Sequence, residues 1–375
     1  MKKLKVAIGL SGGVDSALSA YFLKKQGFEV TAVYLDCYRG SGFPCQADID
    51  RAMAVKVAHF LHIPLKIIDL RSQYRRSVIS YFFSEYKAGR TPNPDVICNR
   101  DIKFGIFYDL VINQWKFDYV ATGHYARILE KKKEKFLAAG VDKNKDQSYF
   151  LYLLKKEQLA HILFPIGIMT KKEVREEAKR VKLPNFAKPD SQGICFIGAV
   201  NVKKFLLTKI KPKTGSVLDE KGNVIGKHDG VWFYTIGQRH GFKIDQKLVS
   251  RSKKQEVKPL FVLSKNVERN EIIVAPKEHL LIRKFIVGEW HSLVYSEKEK
   301  LVLKKTLKVR VRHLGALVSC TLKKVTKDKS EKNQSPSRAF YAVVLKKPVF
   351  GVAPGQSAVF YDGEIVLGGG IISDR

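Results

Sequence analysis

The length and composition of the chain exclude several classes of protein. Its 375 residues, of which 45% are hydrophobic and 28% charged, are typical of a globular protein with two or three domains. No run approaches the ~18 consecutive apolar residues of a membrane helix. The first residues lead into a strand without a hydrophobic leader. We therefore expect neither export nor a membrane partner.

An excess of positive charge extends along the whole chain. Lys and Arg number 68 against 36 Asp and Glu, a formal net charge of +32. The first 200 residues hold 33 basic and 20 acidic residues and the remainder 35 and 16, so the charge is not confined to one tail. Such a field attracts polyanions and supports salt-sensitive contacts with phosphates. Nucleic acid is the first partner to test, although solvated surface lysines would give the same composition.

The cysteines favour a reducing compartment. Five of them, an odd number, occur in a chain without a secretory leader: Cys37, Cys45, Cys98, Cys195 and Cys320. The absence of any C-x-x-C pair argues against structural zinc, a thioredoxin-like dithiol and an iron–sulfur cluster. We therefore expect a cytoplasmic protein without a permanent metal or cluster, in which any Cys chemistry joins residues distant in sequence.

Apolar runs alternate with helical periodicities over the first half of the chain. The pattern predicts strands at Val6–Leu10, Val30–Leu35, Leu65–Leu70 and Tyr119–Thr122; helices at Ala17–Lys25, Ser72–Ala88 and Val96–Trp115; and a further helix with Ile49, Met53, Val57, Phe60 and Leu61 on one face. A capping box of Thr170 and Glu173 predicts another helix, which ends near Pro184. Strands alternating with helices predict βαβ units around a buried parallel sheet.

From about residue 205 the pattern changes to short β-rich runs separated by glycine-centred turns at 221–223 and 229–230. Strands are predicted at Phe261–Leu263, Ile272–Ala275, Leu301–Arg312, Ala316–Val325, Ala339–Leu345 and Ser357–Tyr361, with a long exposed loop at Lys327–Arg338. This arrangement predicts a small β-barrel or sandwich. We divide the chain at residues 1–204, 205–284 and 285–375.

The segment Ser11-Gly12-Gly13-Val14-Asp15-Ser16 lies between a predicted strand and a predicted helix. Unpaired backbone N–H groups and the helix dipole favour an anion there, and the glycines allow its close approach. No Lys follows the glycines as a kinase-type loop requires, so we expect phosphate binding without transfer of the γ-phosphate. The alternative is a simple glycine-rich turn.

Six segments together carry a resemblance to a known family. Gly9–Ser16 resemble the pyrophosphate loop (PP-loop) of the ATP pyrophosphatases, which cleave ATP to AMP and pyrophosphate while adenylating a substrate. Five more resemble segments of the bacterial tRNA-specific 2-thiouridylases, which thiolate the wobble uridine: Thr91–Asn99, Ala121–Arg127, Lys145–Tyr149, Asp190–Phe196 and Thr235–Arg239. The resemblance implies an α/β fold in which an N-terminal parallel-sheet PP-loop domain, of adenine nucleotide alpha hydrolase type, precedes two small β-rich domains, the last a β-barrel.

The resemblance also implies an activity. ATP, accompanied by Mg²⁺, would adenylate O2 of the wobble uridine, and sulfur would then replace that oxygen. Cys195 would accept sulfur as a persulfide, Cys98 would act as nucleophile and form a transient disulfide with Cys195, and Asp95 would be the acid–base group. The persulfide attacks C2 directly, or Cys98 releases sulfide from it; the sequence leaves both routes open. Partners would be tRNA and a sulfur-donor protein, such as a cysteine desulfurase or a relay protein.

Binding residues follow from the resemblance by position. ATP contacts are implied at Gly9, Leu10, Ser11, Gly12, Gly13, Val14, Asp15, Ser16, Leu35 and Gly123. Contacts with tRNA are implied at Asn93, Pro94 and Asp95 for the target base, and at Lys145, Asp146, Gln147, Arg310, Val311 and Arg312. Val311 stands where relatives carry Tyr, so any stacking by that aromatic ring is absent here.

The residues themselves leave alternatives open for the two cysteines. Cys98 follows a Pro-containing turn at a predicted helix start, where the dipole favours a thiolate. Cys195 lies in a polar, Gly-containing segment that a donor could reach. The alternative is that both are small core residues, and for Cys37, Cys45 and Cys320 that interpretation is favoured.

Three further polar residues have two interpretations. Asp15 is a magnesium ligand or an N-cap, and Asp146 is a tRNA contact or an N-cap. His124 is interpreted as a hydrogen-bond hub rather than a base.

Two other functions are weighed against the thiolase. A PP-loop ligase acting on a small metabolite, such as an argininosuccinate synthase, would need neither paired cysteines nor a basic β domain. A non-catalytic RNA-binding module would explain the charge but would leave the phosphate loop and both cysteine segments without a role.

Overall fold

A five-stranded parallel sheet organises the N-terminal part of the protein. The structure, a computed structural model, describes residues 3–39, 46–190, 193, 195, 201–245, 258–294, 306–325 and 340–374. The sheet has the strand order β3-β2-β1-β4-β7 and contains β1 (Lys5–Gly9), β2 (Glu29–Asp36), β3 (Leu65–Asp69), β4 (Tyr119–Ala121) and β7 (Ile162–Leu163). All of these pairings are parallel, which confirms the predicted βαβ organisation.

The described residues form six helices. They are α1 (Val14–Lys25), α2 (Gln46–Phe60), α3 (71–87), α4 (94–114), α5 (Lys171–Arg180) and α6 (Val202–Leu207). Wider π-type turns occur in α3 at Arg75–Ile79 and in α4 at Cys98–Ile106 and Leu110–Gln114. Short 3₁₀ turns lie at Ser148–Leu151, Lys156–His161, Val231–Phe233 and Lys277–Leu280.

Helices cover both faces of this sheet because its central strand is apolar on both sides. Val6 and Ile8 of β1 pack in one core with residues of α1, α2 and α5. Ala7 points to the opposite face, as alternation along a strand requires, and packs in a second core with residues of α3 and α4. The sheet is therefore buried between two helical layers, and the ends of its strands remain as the place for a site.

The buried face of α2 differs from the prediction. Ile49 and Phe60, predicted to lie on the apolar face, are exposed. The buried positions are Ala54, Val57, Ala58 and Leu61, which follow helical spacing. The prediction counted large apolar residues and overlooked the two alanines, whose small side chains let the helix approach the sheet closely.

A second sheet of five strands occupies the middle of the chain. Its order is β10-β9-β8-β12-β11, with β8 (Gly215–Leu218), β9 (Val224–His228), β10 (Lys243–Ile244), β11 (Leu260–Asn266) and β12 (Glu271–Pro276). Gly222, with φ of +86°, forms the predicted turn between β8 and β9. The Asp219 carboxylate accepts the backbone N–H of Asn223 at 2.8 Å in the same turn.

The C-terminal strands close into a six-stranded antiparallel barrel. It contains β13 (Leu281–Ser292), β14 (Leu307–Arg310), β15 (Val318–Val325), β16 (Phe340–Phe350), β17 (Ser357–Asp362) and β18 (Ile365–Asp374). Pairing of β13 with β18 closes the barrel, and Val309, Val343 and Phe360 fill its interior. The barrel confirms the predicted fold class and excludes the sandwich alternative for this region.

A hairpin of the N-terminal domain joins the barrel sheet. Its strands are β5 (Ala126–Lys131) and β6 (Glu134–Ala139), and β6 pairs with β18 through Ala138 and Ile365. The Thr91 amide donates to the carbonyl of Pro354 at 2.9 Å, so the segment before α4 is tied to the barrel as well.

A buried ion pair reinforces the docking of the barrel. Arg310 Nη1 lies 2.7 Å from Asp146 Oδ2, and the two side chains are 9% and 2% exposed. The other carboxylate oxygen of Asp146 accepts the backbone N–H groups of Gly140 and Ser148, both at 3.0 Å. Asp146 therefore organises the loop that follows β6 and pairs this loop with the barrel.

Several elements were not predicted from the sequence. These are β5, β6, β7, α6, β8, β9, β10, β13 and β18. The predicted domain limits 204/205 and 284/285 fall inside α6 and β13, and they stay a prediction. Cys45 and the predicted loop Lys327–Arg338 lie outside the described residues. No helix in the described ranges combines the length and apolar character needed to cross a bilayer.

The buried ion pair predicts a large loss of stability when Asp146 is replaced, and little loss when a nearby exposed cation is replaced. Asp146→Asn leaves the Arg310 guanidinium buried without a counter-charge, and breaking a buried pair in this way costs about 3–5 kcal/mol. We expect the urea-unfolding midpoint to fall accordingly. Arg312→Met removes an exposed cation two residues away and should change the free energy of unfolding by less than about 0.5 kcal/mol. Equal stability of Asp146→Asn and the wild type would contradict this account.

Candidate active site

The PP-loop segment forms a tight turn between β1 and α1. Gly12 has φ of +75°, and a Cβ at this position would lie 2.3 Å from the backbone oxygen of Asp50, so only glycine fits. Gly13 is the N-cap of α1, and no side chain caps the helix there. The first backbone N–H groups of α1 are therefore available to an anion.

The hydroxyl groups of the loop are bonded to the loop itself. Ser16 Oγ donates to the carbonyl of Gly13 at 3.1 Å, accepts the Ser11 backbone N–H at 3.2 Å and lies 3.1 Å from Ser11 Oγ. These groups can rotate toward a bound phosphate without backbone movement. The sequence-predicted ATP contacts from Gly9 to Ser16 thus form one continuous cradle.

The other two predicted ATP contacts lie at the same edge of the sheet. Gly123 follows β4, and a Cβ at this position would lie 2.7 Å from the backbone nitrogen of Ser16, so this glycine packs directly on the start of α1. Leu35 is buried near the end of β2, the strand beside β1. The carboxyl ends of three neighbouring parallel strands therefore meet here, which is where open α/β sheets bind ligands.

A network of charges that the sequence did not reveal surrounds the loop. Asp15 Oδ1 accepts from Lys171 Nζ at 2.6 Å and from Tyr125 OH at 2.8 Å. Lys171 also pairs with Asp190 at 2.8 Å. The Asp15 side chain is therefore bound to a cation and does not cap α1, so the N-cap interpretation is wrong.

Asp190 gathers three cations beside the loop. Lys145 pairs with it at 2.8 Å, and Lys171 and Arg175 also contact it. These cations hold the pKa of Asp190 well below its usual range, against the opposing effect of burial. Lys188 Nζ, from the same region, donates to the carbonyl of Gly12 at 3.1 Å. Asp190 belongs to one of the family-like segments, but nothing in its sequence setting identified its partners.

The structure brings Cys98 and Cys195 together. Their Sγ atoms are 3.7 Å apart although the residues are 97 positions apart in sequence, and Cys98 is the hydrogen-bond donor. Cys98 is fully buried within α4, and Cys195 packs against the same core. Both are free thiols. To form a disulfide, their sulfurs would have to approach each other by about 1.7 Å, from 3.7 Å to the ~2.05 Å of an S–S bond.

Cys195, and not Cys98, is the more acidic of the two thiols. The hydrogen bond from Cys98 lowers the pKa of Cys195, and the charge of Lys103 acts in the same direction. Burial raises the pKa of Cys98 well above its usual value. The prediction that Cys98 favours a thiolate is therefore wrong: Cys98 is buried within α4, and Cys195 is the more acidic of the two thiols.

Two side chains hold the backbone of Cys195. Asp95 Oδ1 accepts its N–H at 3.0 Å, and Tyr74 OH donates to its carbonyl at 2.5 Å. Burial raises the pKa of Asp95, and the hydrogen bond from the Cys195 backbone and the charge of Lys103 oppose this shift. Asp95, which precedes Cys98 by three residues, therefore also contacts the backbone of Cys195.

Lys103 and His124 complete the surroundings of the cysteines. Lys103, on α4, hydrogen-bonds to the side chain of Cys195, and its Nζ lies 3.4 Å from His124 Nε2. His124 Nδ1 lies 2.7 Å from Thr122 Oγ1, and burial lowers the pKa of His124 well below its usual value. His124 is thus a hydrogen-bond hub, as expected; Lys103 was missed because a single lysine in a helix carries no local signal.

The predicted tRNA contacts of the N-terminal domain differ in exposure. Asn93 is buried, Pro94 begins α4 and Asp95 is partly exposed. Gln147 Oε1 accepts the Tyr125 backbone N–H at 3.0 Å. Asp146 is buried in the ion pair described above, whereas the side chain of Lys145 is 42% exposed.

The predicted tRNA contacts of the barrel also differ in their exposure to solvent. Arg310 is buried against Asp146, and Val311 is buried in the barrel core. Arg312 is exposed and lies just after β14. Of these three side chains, Arg312 alone is presented to solvent.

The remaining cysteines follow their expectation where the structure describes them. Cys320 is buried in the barrel. Cys37 is buried at the end of β2, where it lines a cavity of about 530 Å³ together with Tyr38, Arg39, Asp69, Arg71, Ser72, Gln73 and Arg75. Within the described ranges no group of three His, Cys, Asp or Glu side chains could hold a metal ion.

Comparison with known proteins agrees with this architecture. The chain matches families described as the tRNA methyl transferase HUP domain over residues 4–199, the tRNA methyl transferase PRC-barrel domain over 203–276 and an aminomethyltransferase β-barrel domain over 282–372. A solved structure of the U34-tRNA thiolase NcsA from Methanococcus maripaludis with its [4Fe-4S] cluster is 20% identical, covering 54% of this chain and 63% of that chain with a TM-score of 0.34.

Two curated relatives are similar over nearly the full length. The tRNA-specific 2-thiouridylase MnmA of Photorhabdus laumondii is 38% identical, and that of Proteus mirabilis is 40% identical, each over 99% of this chain and 97% of the relative. Identity at this level along all three structural units does not arise from a shared superfold alone. The chain therefore belongs to the tRNA-specific 2-thiouridylase (MnmA) family.

Proposed function

We propose that this protein is a tRNA uridine 2-sulfurtransferase that adenylates O2 of the wobble uridine with ATP and replaces that oxygen with sulfur carried by Cys195. One observation supports this most strongly. Two free thiols 3.7 Å apart are joined to the phosphate cradle by direct contacts, from Ser16 to Gly123 and from His124 through Lys103 to Cys195. Activation and sulfur transfer can therefore occur in one site.

The chemistry divides into two balanced steps. In the first, the uridine O2 attacks the α-phosphorus of ATP; an O–P bond forms, the bond to the β-phosphate oxygen breaks, and pyrophosphate leaves. In the second, sulfur adds to C2 and the C2–O bond breaks, releasing AMP. The sulfane sulfur of the Cys195 persulfide is reduced to the sulfide level, and Cys98 and Cys195 are oxidised to a disulfide. An external thiol reductant then restores both thiols.

Both routes for the second step use the observed geometry. In one, the terminal sulfur of Cys195 attacks C2 and Cys98 then cleaves the remaining S–S bond. In the other, Cys98 attacks Cys195 first and releases hydrosulfide, which attacks C2. Either route needs Cys98 to lose its proton, and Asp95, which bonds to the Cys195 backbone, is the nearby acid–base group.

ATP and magnesium are part of the proposal. The cradle from Gly9 to Ser16 offers backbone N–H groups and hydroxyls to pyrophosphate, and Lys171 and Lys145 add positive charge beside it. Asp15 is the carboxylate of this loop that could bind magnesium, but it already accepts hydrogen bonds from Lys171 and Tyr125. Magnesium is therefore assigned to the triphosphate it accompanies, where it neutralises charge, rather than to a dedicated protein site.

The partners follow from the substrate. Asn93, Pro94 and Asp95 are proposed to meet the target base, since they lie at the start of α4 beside the cysteines. Lys145 and Arg312 are proposed to contact tRNA phosphates directly. The buried Asp146, Arg310 and Val311 instead position the loop and barrel that carry them.

A persulfide-bearing sulfur donor supplies Cys195, and the reaction is placed in the cytoplasm because its tRNA substrate and free thiols require it.

The two rival functions explain less of the site. A PP-loop ligase for a small metabolite has no use for the Cys98–Cys195 pair. A non-catalytic RNA-binding module has no use for a glycine that no other residue can replace at the phosphate turn. Pyrophosphate release that depends on tRNA distinguishes the proposal from both; dependence on an amino acid would instead favour the ligase.

The geometry of the phosphate turn predicts a specific loss of ATP use. Gly12→Ala places a methyl group against the backbone oxygen of Asp50, whereas Gly27→Ala, at a similar φ of +88°, meets nothing within 4 Å. Both pay about 1–2 kcal/mol for the left-handed backbone, but only Gly12→Ala distorts the cradle. We expect pyrophosphate release to fall at least about tenfold in Gly12→Ala and to remain near wild type in Gly27→Ala. Similar activity in both variants would argue against phosphate binding at this turn.

The cysteine pair predicts a separation of chemistry from binding. Cys98→Ser and Cys195→Ser should each abolish sulfur transfer, because a nucleophile or carrier is missing, while tRNA affinity stays within about threefold because phosphate contacts dominate it. Wobble nucleosides are analysed by mass spectrometry and affinity by filter binding. Cys320→Ala, in the barrel core, is the control that should retain transfer. Near-normal thiolation by either Ser variant would refute the two-cysteine mechanism.

The exposure of Arg312 predicts its effect on salt dependence. Removing one phosphate contact should reduce the slope of log affinity against log salt by about 0.7–0.9. We expect this change for Arg312→Ala. Lys308→Ala removes another exposed cation of the barrel to which no tRNA contact is assigned, and its slope should match the wild type. An unaltered slope in Arg312→Ala would show that this arginine is only solvated surface.

A further inference from the structure

Lys103 occupies a position in the site that the reaction scheme above does not yet use. It lies five residues after Cys98 on α4, and its ammonium group lies between two groups from distant segments. On one side it hydrogen-bonds to the side chain of Cys195. On the other, its Nζ lies 3.4 Å from His124 Nε2. The lysine thus links the PP-loop side of the site to the sulfur carrier.

The ammonium faces a buried imidazole that is itself packed against two aromatic rings. The imidazole of His124 is 7% exposed, and the rings of Phe104 and Phe164 lie 6.0 and 5.9 Å from it. A charge in such a place is costly unless an anion pairs with it. A lysine is therefore retained here only if its charge has a local partner.

His124 cannot be that partner, but it can orient the lysine. Its Nε2 faces an ammonium, which only donates hydrogen bonds, so Nε2 must accept. The proton of the neutral imidazole is then on Nδ1, which donates to Thr122 Oγ1 at 2.7 Å. Lys103 therefore donates both to His124 and to Cys195, and the hydrogen bond from His124 to Thr122 fixes the imidazole that orients the lysine.

The titration behaviour of the neighbouring groups agrees with this geometry. Burial alone would lower the pKa of Lys103, but the sulfurs of Cys195 and Cys98 and the carboxylate of Asp95 raise it above its usual value. The pKa of Cys195 is lowered first by the Cys98 hydrogen bond and then by Lys103. The Cys98 hydrogen bond and the Lys103 ammonium thus act on Cys195 in the same direction, toward the thiolate.

We propose that Lys103 is a catalytic residue for sulfur loading, which keeps the Cys195 sulfur anionic through a direct hydrogen bond, and that His124 is its positioning residue. The inference rests on the proposed function only in naming sulfur as the cargo. The Cys195 thiolate attacks the terminal sulfur of a donor persulfide. A new S–S bond forms on Cys195, the donor S–S bond breaks, and the donor leaves as a thiolate. No net oxidation occurs, and Lys103 keeps its proton throughout.

Several titratable groups face Cys195, and each enters the interpretation of its pH profile. They are Asp95, Cys98 and Lys103 from α4, Tyr74 from α3, and Cys37 after β2. Asp95 opposes the thiolate and Cys98 and Lys103 favour it. A lowered pKa means that the thiolate is present above that pKa and is lost as the pH falls through it. Removing Lys103 raises the pKa of Cys195, so the loss begins at a higher pH.

The test is the pH profile of Cys195 alkylation in the full-length protein, without tRNA or ATP. Iodoacetamide is the probe, and mass spectrometry follows the peptide that contains Cys195 from about pH 5.5 to about pH 9.5, roughly two units on each side of pH 7.5. Lys103→Met should shift the profile upward by about 1–3 pH units, the effect of removing an adjacent opposite charge. Below the pKa, each unit lowers the alkylation rate tenfold. Lys103→Arg keeps the positive charge, so its profile should lie close to that of the wild type.

Further variants separate charge from structure. Lys103→Gln keeps a polar side chain without charge, so it should behave like Lys103→Met even if the methionine variant folds poorly. Arg100→Met removes an exposed cation from the same helix, paired with Asp101, and should leave the profile unchanged. His124→Leu removes the acceptor that orients Lys103 and should raise the pKa of Cys195 by less than Lys103→Met does, whereas His124→Gln should stay near wild type.

The outcomes decide the proposal independently of the proposed function. A folded Lys103→Gln protein whose Cys195 titrates as in the wild type would overturn the role of Lys103. A shifted profile in the Lys103 variants, together with a wild-type protein that fails to thiolate tRNA, would overturn the proposed function and leave the role of Lys103 standing.

Discussion

The backbone of Cys195 is held by hydrogen bonds at both its N–H and its C=O, and the geometry of the active site depends on this constraint. Asp95 accepts its N–H and Tyr74 donates to its C=O, and these residues come from α4 and α3, which cover the same face of the parallel sheet. Two helices and a distant segment must therefore be in place before the sulfurs of Cys98 and Cys195 can meet. The fold positions a reactive pair that neither helix could position alone, and the phosphate cradle lies at the adjoining strand ends.

Electrostatics then gives the two thiols different roles. Burial within α4 raises the pKa of Cys98, whose S–H group donates a hydrogen bond to Cys195. That hydrogen bond and the charge of Lys103 lower the pKa of Cys195. One anion shared between two sulfurs costs less in a buried site than two separate thiolates would. The arrangement suits a resting enzyme that accepts sulfur at Cys195 and activates Cys98 only when the S–S bond must be cleaved. Barrel docking through Asp146 and Arg310 fixes the loop that carries Lys145 beside this site.

How much the sequence could predict depends on whether an interaction is local. The phosphate turn, the βαβ order and the capping box of Thr170 and Glu173 are short-range patterns, and the structure has them where they were predicted. The buried face of α2 was predicted only in part: Val57 and Leu61 are buried as predicted, but Ala54 and Ala58 complete the face in place of Ile49 and Phe60. The acidity of Cys98 was assigned from a helix start, whereas its depth in the core decides it. Lys103, Lys171 and the Arg310–Asp146 pair act through partners far along the chain, and no local pattern encodes such partners.

A single-turnover reaction tests the central claim most directly. The protein is first loaded with persulfide on Cys195, freed of donor and reductant, and then mixed with ATP and unmodified tRNA. Mass spectrometry of the quenched mixture measures both the wobble nucleoside and the Cys98–Cys195 peptides. The account predicts one 2-thiouridine for each Cys98–Cys195 disulfide formed, and neither product without ATP. Thiolated tRNA that accumulates while Cys98 remains a free thiol, or a disulfide that forms without thiolated tRNA, would contradict it.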